Sequence, residues 1–236
     1  VQKLANISFL LLGISCTILT GARPLSAEQP MPEGFVDVSK IVPRLVVDLR
    51  YLSDENFVGG PIDGYLKPRC ILTRKAAMAL RDVQSELAEF GMGLKVFDAY
   101  RPQQAVDHFV RWSNDASAMS SKAKYYPRVD KNNLFLDGYI AAKSSHSRGS
   151  TVDLTIVTFQ NDDQPPVELD MGTPFDFFGP ESWGNHSELS AQQKCNRLLL
   201  RALMQKHRFR PYAKEWWHFT LDDEPYPKKY FNFPVQ

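Results

Sequence analysis

Apolar residues recur along this chain with two different periods, and the switch between them separates predicted helices from predicted strands. Over residues 73–90, Ala76, Leu80, Val83, Leu87 and Phe90 fall at three- and four-residue steps, the spacing of one helical face. Thr73 can cap the start of this helix and Gly91 suits its end. Pro102 opens a second helical pattern, with Ala105, Phe109 and Trp112 on one side. A third covers residues 190–207, with Cys195, Leu198, Leu199, Ala202 and Leu203 as the expected apolar side. Residues 45–51, 94–97, 150–157 and 216–221 read as strands. Gly59-Gly60-Pro61 and Asp63-Gly64 mark loop between them. Helices and strands mix without regular alternation, which predicts an α+β fold rather than a doubly wound sheet. The expected form is one compact domain, a small, mostly antiparallel sheet flanked by helices.

Residues 7–22 break this pattern. They form an apolar run with Lys3 before it, shorter than the roughly 20 residues a membrane-spanning helix needs. Leu25-Ser26-Ala27 offers a cleavage site, so residues 1–27 read as a secretory signal peptide and 28–236 as the mature domain. Export to the periplasm is the expectation, with no membrane span left after cleavage; an uncleaved N-terminal anchor is the alternative, and a lipoprotein through Cys16 is weaker because Gly13 and Ile14 suit it poorly.

Composition narrows the class. Of 236 residues, 43% are hydrophobic and 12% aromatic, enough for a real core and against disorder. The formal net charge is +1, and loss of Lys3 and Arg23 with the leader leaves it slightly negative. Such a balance gives no field for nucleic acid or an anionic membrane. Three cysteines exclude a disulfide-dense scaffold and a four-thiolate zinc site. Cys70 and Cys195 remain in the mature chain, where a bridge between them and two buried thiols are both open readings.

Three segments carry the candidate chemistry. In residues 144–155, alternation after Gly149 sends Val152, Leu154 and Ile156 toward a core and Thr151, Asp153 and Thr155 to an open face. His146 then lies just across a glycine turn from the Asp153 carboxylate. In Glu215-Trp216-Trp217-His218-Phe219 an acid and an imidazole sit among bulky neighbours, Tyr212 included. Aromatic walls raise a carboxylate's pKa, which suits a proton shuttle. His146, Asp153 and His218 make a three-ligand zinc set with an open fourth position, and Glu215 the base on a water there. Residues three apart on a regular strand face opposite ways, so Glu215 and His218 share a site only if the chain bends between them. In Asp98-Ala99-Tyr100-Arg101-Pro102, Arg101 stands at a strand-to-helix junction, placed to steady an oxyanion.

Each piece alone has a plainer reading. A lone histidine is more often a satisfied polar residue than a ligand, and an aspartate in a strand often bonds a turn. Aromatic pairs are usually core, and Tyr-Arg-Pro can be a helix start with a surface ion pair. His108, His186 and His207 carry no assigned role, and none of the five histidines lies in a His-Glu-x-x-His motif.

In combination the segments resemble the zinc D-Ala-D-Ala peptidases, most closely D-alanyl-D-alanine dipeptidases of the VanX type. The likeness runs over about residues 35–234. Its further marks are Asp63-Gly64-Tyr65, Phe175-Asp176-Phe177 and Asp223-Glu224-Pro225-Tyr226-Pro227. The resemblance implies one zinc ion on His146, Asp153 and His218, Glu215 as general base and acid, and Arg101 at the oxyanion. It further implies that Tyr51, Ser144 and Asp176 hold the amino end of a small dipeptide, and it permits a homodimer. The stretch at 178–190 departs from the family pattern. A DD-carboxypeptidase acting on stem peptides and a catalytically silent zinc-binding module remain as alternatives; the second would lack the base, and Glu215 is present. A structural protein in which these polar residues are incidental would carry no metal.

Overall fold

The computed structural model describes residues 30–161 and 163–236; the expected leader at 1–27 lies outside them. In chain order the described elements are β1 (Phe35–Asp37), β2 (Val46–Val47), β3 (Ile71–Thr73), α1 (Arg74–Ala88), β4 (Met92–Asp98), α2 (Gln103–Asn114), α3 (Lys122–Tyr125), β5 (Thr151–Thr158), β6 (Val167–Glu168), α4 (Ala191–Lys206), β7 (Phe209–Tyr212) and β8 (Glu215–Leu221). β1 and β3 form a small antiparallel pair. The other strands make one sheet ordered β2-β4-β5-β8-β7, with β6 against the far end of β5. Only the β2–β4 pairing is parallel. The α+β architecture with a mostly antiparallel sheet is as the sequence predicts.

The local causes are legible. Thr73 caps α1 by accepting from the Ala76 N–H at 3.4 Å. Gly91 takes φ +68° just beyond it, a conformation glycine adopts without steric cost. Ser190 opens α4 with a reciprocal capping box, its hydroxyl bonding the Gln193 N–H while the Gln193 side chain bonds back. α1 and α4 pack against each other and against the sheet.

Several expectations need correction. Phe90 lies past the end of α1 and is 73% exposed. α4 buries Asn196, Arg197, Leu200 and Met204, while Cys195 and Leu198 face out; two polar residues there have partners inside, so the apolar count misplaced the buried side. Cys70 is buried and Cys195 exposed, and both thiols are free, so no bridge joins them. The run at 45–51 is strand only at Val46–Val47, and a 3-10 turn at Arg50–Leu52 turns Tyr51 inward.

The sheet itself aligns the site. Across β4, β5 and β8, Asp98 pairs with Asp153 and Asp153 pairs with His218, so three polar residues form one row over three strands. A bulge between Val96 and Asp98 sets that register. Thr151, Asp153 and Thr155 are all buried, so the strand face expected to be open is covered. Thr151 satisfies its hydroxyl on Thr220 at 2.9 Å. No described helix is long and apolar enough to cross a membrane.

Candidate active site

His146 sits in a 3-10 turn, Ser145–Arg148, that ends at Gly149 with φ +81°. The Ser144 hydroxyl caps this turn by accepting from the His146 N–H at 3.3 Å. A Cβ at position 149 would lie 2.2 Å from the Phe35 ring, so packing as well as dihedral angle calls for glycine. The turn packs against β5. His146 Nδ1 lies 2.7 Å from the Ala99 carbonyl, which can only accept, so that nitrogen carries the proton and Nε2 offers its lone pair.

That lone pair points at the other two residues of the row. His146 Nε2 lies 3.2 Å from Asp153 Oδ2 and 3.2 Å from His218 Nδ1, and His218 Nδ1 lies 3.0 Å from Asp153 Oδ1. One ligand atom from each residue falls within 4.8 Å of the others. Atoms about 2.0–2.2 Å from a tetrahedral ion lie about 3.3–3.6 Å apart, and the 3.2 Å between His146 Nε2 and His218 Nδ1 is close to that. Asp153 Oδ1 is buried without a well-aligned donor, an arrangement that a cation would satisfy. The three residues fit a small metal ion.

The electrostatics follow from burial. Burial alone would raise Asp153, but the two imidazoles outweigh it and hold its carboxyl well below the usual range. Burial pulls His146 down; His218 goes up, because Asp153 and Glu215 more than offset its burial. Glu215 Oε2 lies 3.5 Å from His218 Nδ1. Burial, with the Asp153 charge, pushes the Glu215 pKa to about 7 despite opposing help from His218 and Arg101.

Arg101 enters from just before α2. Its Nε donates to Asp98 at 2.8 Å, and its Nη2 reaches Asp153 at 3.4 Å. The guanidinium lies 5.0 Å from the Tyr51 ring centre and 5.2 Å from that of Phe109. The pair with Asp98 is buried, not on the surface. Asp98 also accepts from the Tyr65 hydroxyl at 2.5 Å, so it holds Arg101 from behind. Tyr51 donates to Asp176 at 3.0 Å. Burial above all, then Asp153 and Glu215, pushes the Asp176 carboxyl well above its ordinary value, against Arg101.

One cavity of about 230 Å³ is lined by all eight residues singled out from sequence: Tyr51, Arg101, Ser144, His146, Asp153, Asp176, Glu215 and His218. Of the bulky neighbours of Glu215, only Tyr212 lines it, while Trp216, Trp217 and Phe219 are core. The sequence reading gave no role to Ser145, whose hydroxyl lies 3.3 Å from His218 Nε2, or to Asp98 and Tyr65. Their signals were present: Ser145 adjoins His146, and Asp98 is a charge at the end of an apolar strand. His108 meets the Asp63 N–H, and His207 meets Glu86, both away from the cavity.

Comparison with known proteins identifies the family. The M15 peptidase model described as D-ala-D-ala dipeptidase matches residues 31–236. A D-alanyl-D-alanine dipeptidase of Enterococcus faecalis is 40% identical over 205 residues, covering 87% of this chain and 100% of that protein. Those of Enterococcus faecium and Streptomyces coelicolor are each 38% identical over 87% of this chain and their whole length. With the matched region spanning every described element, the chain belongs to the D-ala-D-ala dipeptidase family of M15 peptidases.

Proposed function

We propose that the protein hydrolyses the dipeptide D-Ala-D-Ala to two D-alanines, with one zinc ion held by His146, Asp153 and His218. The observation that carries this reading is the convergence of those three side chains beside Glu215 in a small cavity, in a chain of this family. Bound zinc supplies Lewis acidity, lowering the pKa of water toward about 7 and polarising a carbonyl. Glu215 accepts the proton of the attacking water and returns it to the leaving amine, a shuttle for which a pKa near neutrality is suited. Arg101, fixed by Asp98, presents its guanidinium to the oxygen that gains charge. Asp176 and Tyr51 take the free amine of the dipeptide, with Ser144 at the cavity wall.

The cavity is below the usual size of about 300–1,000 Å³ for ligand pockets, which suits a small reacting end, and the contacts to the free amine are what separate a dipeptide from a peptidoglycan stem. Leaving an anchoring group unpaired costs about 1–3 kcal/mol, so each end contact separates dipeptides from blocked peptides by tenfold or more. The test is a panel of D-Ala-D-Ala, L-Ala-D-Ala, N-acetyl-D-Ala-D-Ala and a pentapeptide stem, with and without chelator. Chelator-sensitive cleavage of D-Ala-D-Ala alone supports the reading; cleavage of the stem but not the free dipeptide replaces it with a carboxypeptidase. Export through a leader at 1–27 completes the proposal, and N-terminal sequencing of protein recovered from the periplasm tests it.

A further inference from the structure

α4 carries a buried charge that the reading above does not use. Arg197 is 4% exposed. Its Nε donates to the Met171 carbonyl at 2.7 Å, one terminal nitrogen to Trp183 O at 2.7 Å, and the other to Glu181 O at 2.8 Å. All three acceptors are backbone carbonyls on the two arms of a single loop, and Asp176 lies between the arms. Burying a guanidinium without a hydrogen-bonded carboxylate is costly, and burial draws the Arg197 pKa down to about 10. The planar fork reaches three diverging acceptors at once, which an ammonium on a flexible stem does poorly.

The loop needs such a hold. Asp176 has φ +61°, a left-handed conformation that aspartate tolerates better than most non-glycine residues but that still costs free energy, which the surrounding contacts offset. Other ties agree. Ser182 Oγ donates to Phe177 O at 2.6 Å, and Asn196 Nδ2 donates to Asp170 O at 2.8 Å. Trp216 Nε1 donates to Thr173 Oγ1 at 2.9 Å, linking the loop to the residue after Glu215.

We propose that Arg197 is a positioning residue for substrate recognition: by clamping both arms of the 171–183 loop, it sets the Asp176 carboxylate that receives the dipeptide's free amine. This rests on the role given to Asp176 above. It touches no substrate, and its effect belongs to binding rather than to chemistry.

The test is steady-state kinetics of the zinc-loaded parent, Arg197→Lys and Arg197→Met on D-Ala-D-Ala, with metal analysis of each. Loss of a positioned anchor predicts KM raised by about tenfold or more, with kcat within about threefold of the parent. Zinc content should match the parent, and Arg197→Lys should fall between parent and Arg197→Met. In an Asp176→Asn background, Arg197→Met should add less than about threefold to KM, because the anchor it serves is already gone. Parent-like KM in Arg197→Lys and Arg197→Met, a kcat loss at constant KM, or a full additional effect in Asp176→Asn overturns the assignment. Should Arg197→Met fail to fold, Arg197→Lys decides, and a parent-like KM there counts against it. A parent inert toward D-Ala-D-Ala overturns both readings, whereas an active parent with KM unmoved in both Arg197→Lys and Arg197→Met overturns this one alone.

Discussion

Glu215 Oε2 and His218 Nδ1 lie 3.5 Å apart although three positions separate them in one strand. A regular strand would put them on opposite faces. The β7–β8 pairing resolves this: Pro211 pairs with Phe219 but the next residue, Tyr212, pairs with Glu215. Trp216, Trp217 and His218 bulge between those pairs, so the acid returns to the side of the imidazole. His218 meanwhile keeps its pairing with Asp153 on β5. The bulge thus sets the Glu215 carboxylate beside His146, Asp153 and His218, where the proposed reaction needs a proton acceptor. Glu215→Gln is accordingly expected to keep its zinc and lose about 10²–10⁴-fold in kcat. Metal analysis and kinetics on one preparation check this, and a parent-like rate would refute the base assignment.

The pH profile follows from the same residue. A proton acceptor works only when ionised, so activity rises as pH passes upward through its pKa. Burial first, then Asp153, pushes Glu215 to about 7; a bound dication favours the carboxylate and moves the value down. The acid limb of kcat/KM is expected at or below about pH 7. A limb centred well above neutrality contradicts the assignment.

Metal removal should act on stability as well as rate. An ion that binds only the folded chain raises its apparent stability by mass action. Zinc added to chelated protein is expected to restore activity and raise Tm. Asp153→Asn and His146→Ala should abolish both responses, and a full zinc-dependent Tm shift in either variant would place the ion elsewhere.

Asp98 is expected to matter for stability. It receives Arg101 at 2.8 Å and Tyr65 at 2.5 Å in full burial. Asp98→Asn removes the nearer of the two carboxylates on the buried Arg101 charge and leaves Asp153 at 3.4 Å, a loss of up to about 3–5 kcal/mol by analogy with other broken buried pairs. Denaturant unfolding measures it; a change under about 1 kcal/mol would show that the pair is not a structural anchor.

Substrate binding should move a proton. Burial, Asp153 and Glu215 hold the Asp176 carboxyl well above its ordinary pKa in the free protein, so it keeps its proton to higher pH than a solvated carboxyl does. An arriving ammonium favours the carboxylate, so binding expels that proton and strengthens as pH rises toward the free-state pKa. Calorimetry of D-Ala-D-Ala binding to Glu215→Gln in two buffers of different ionisation enthalpy should give different apparent heats. Identical heats would contradict this account of Asp176.

Much of the site was legible because its chemistry is concentrated in short polar interruptions of apolar segments. His146, Asp153, His218, Glu215 and Arg101 stand out for that reason, and all five line one cavity. What resisted reading depends on contacts far away in the chain. The β8 bulge exists only in the pairing with β7. Asn196 and Arg197 look like solvent positions until Asp170, Met171, Glu181 and Trp183 present their carbonyls to them. Tyr51 reads as the end of a strand, yet a 3-10 turn aims it at Asp176. Periodicity reports which side of an element is apolar; it does not report which polar side chains find partners inside.

The proposed chemistry needs a single cation bound jointly by His146, Asp153 and His218. Anomalous diffraction at the zinc edge from crystals of the zinc-loaded protein tests it most directly. The expected result is one strong site bonded to His146 Nε2, the Asp153 carboxylate and His218 Nδ1, with Glu215 near it but unbonded. A zinc site bonded to other residues, or none between these three, would contradict the account.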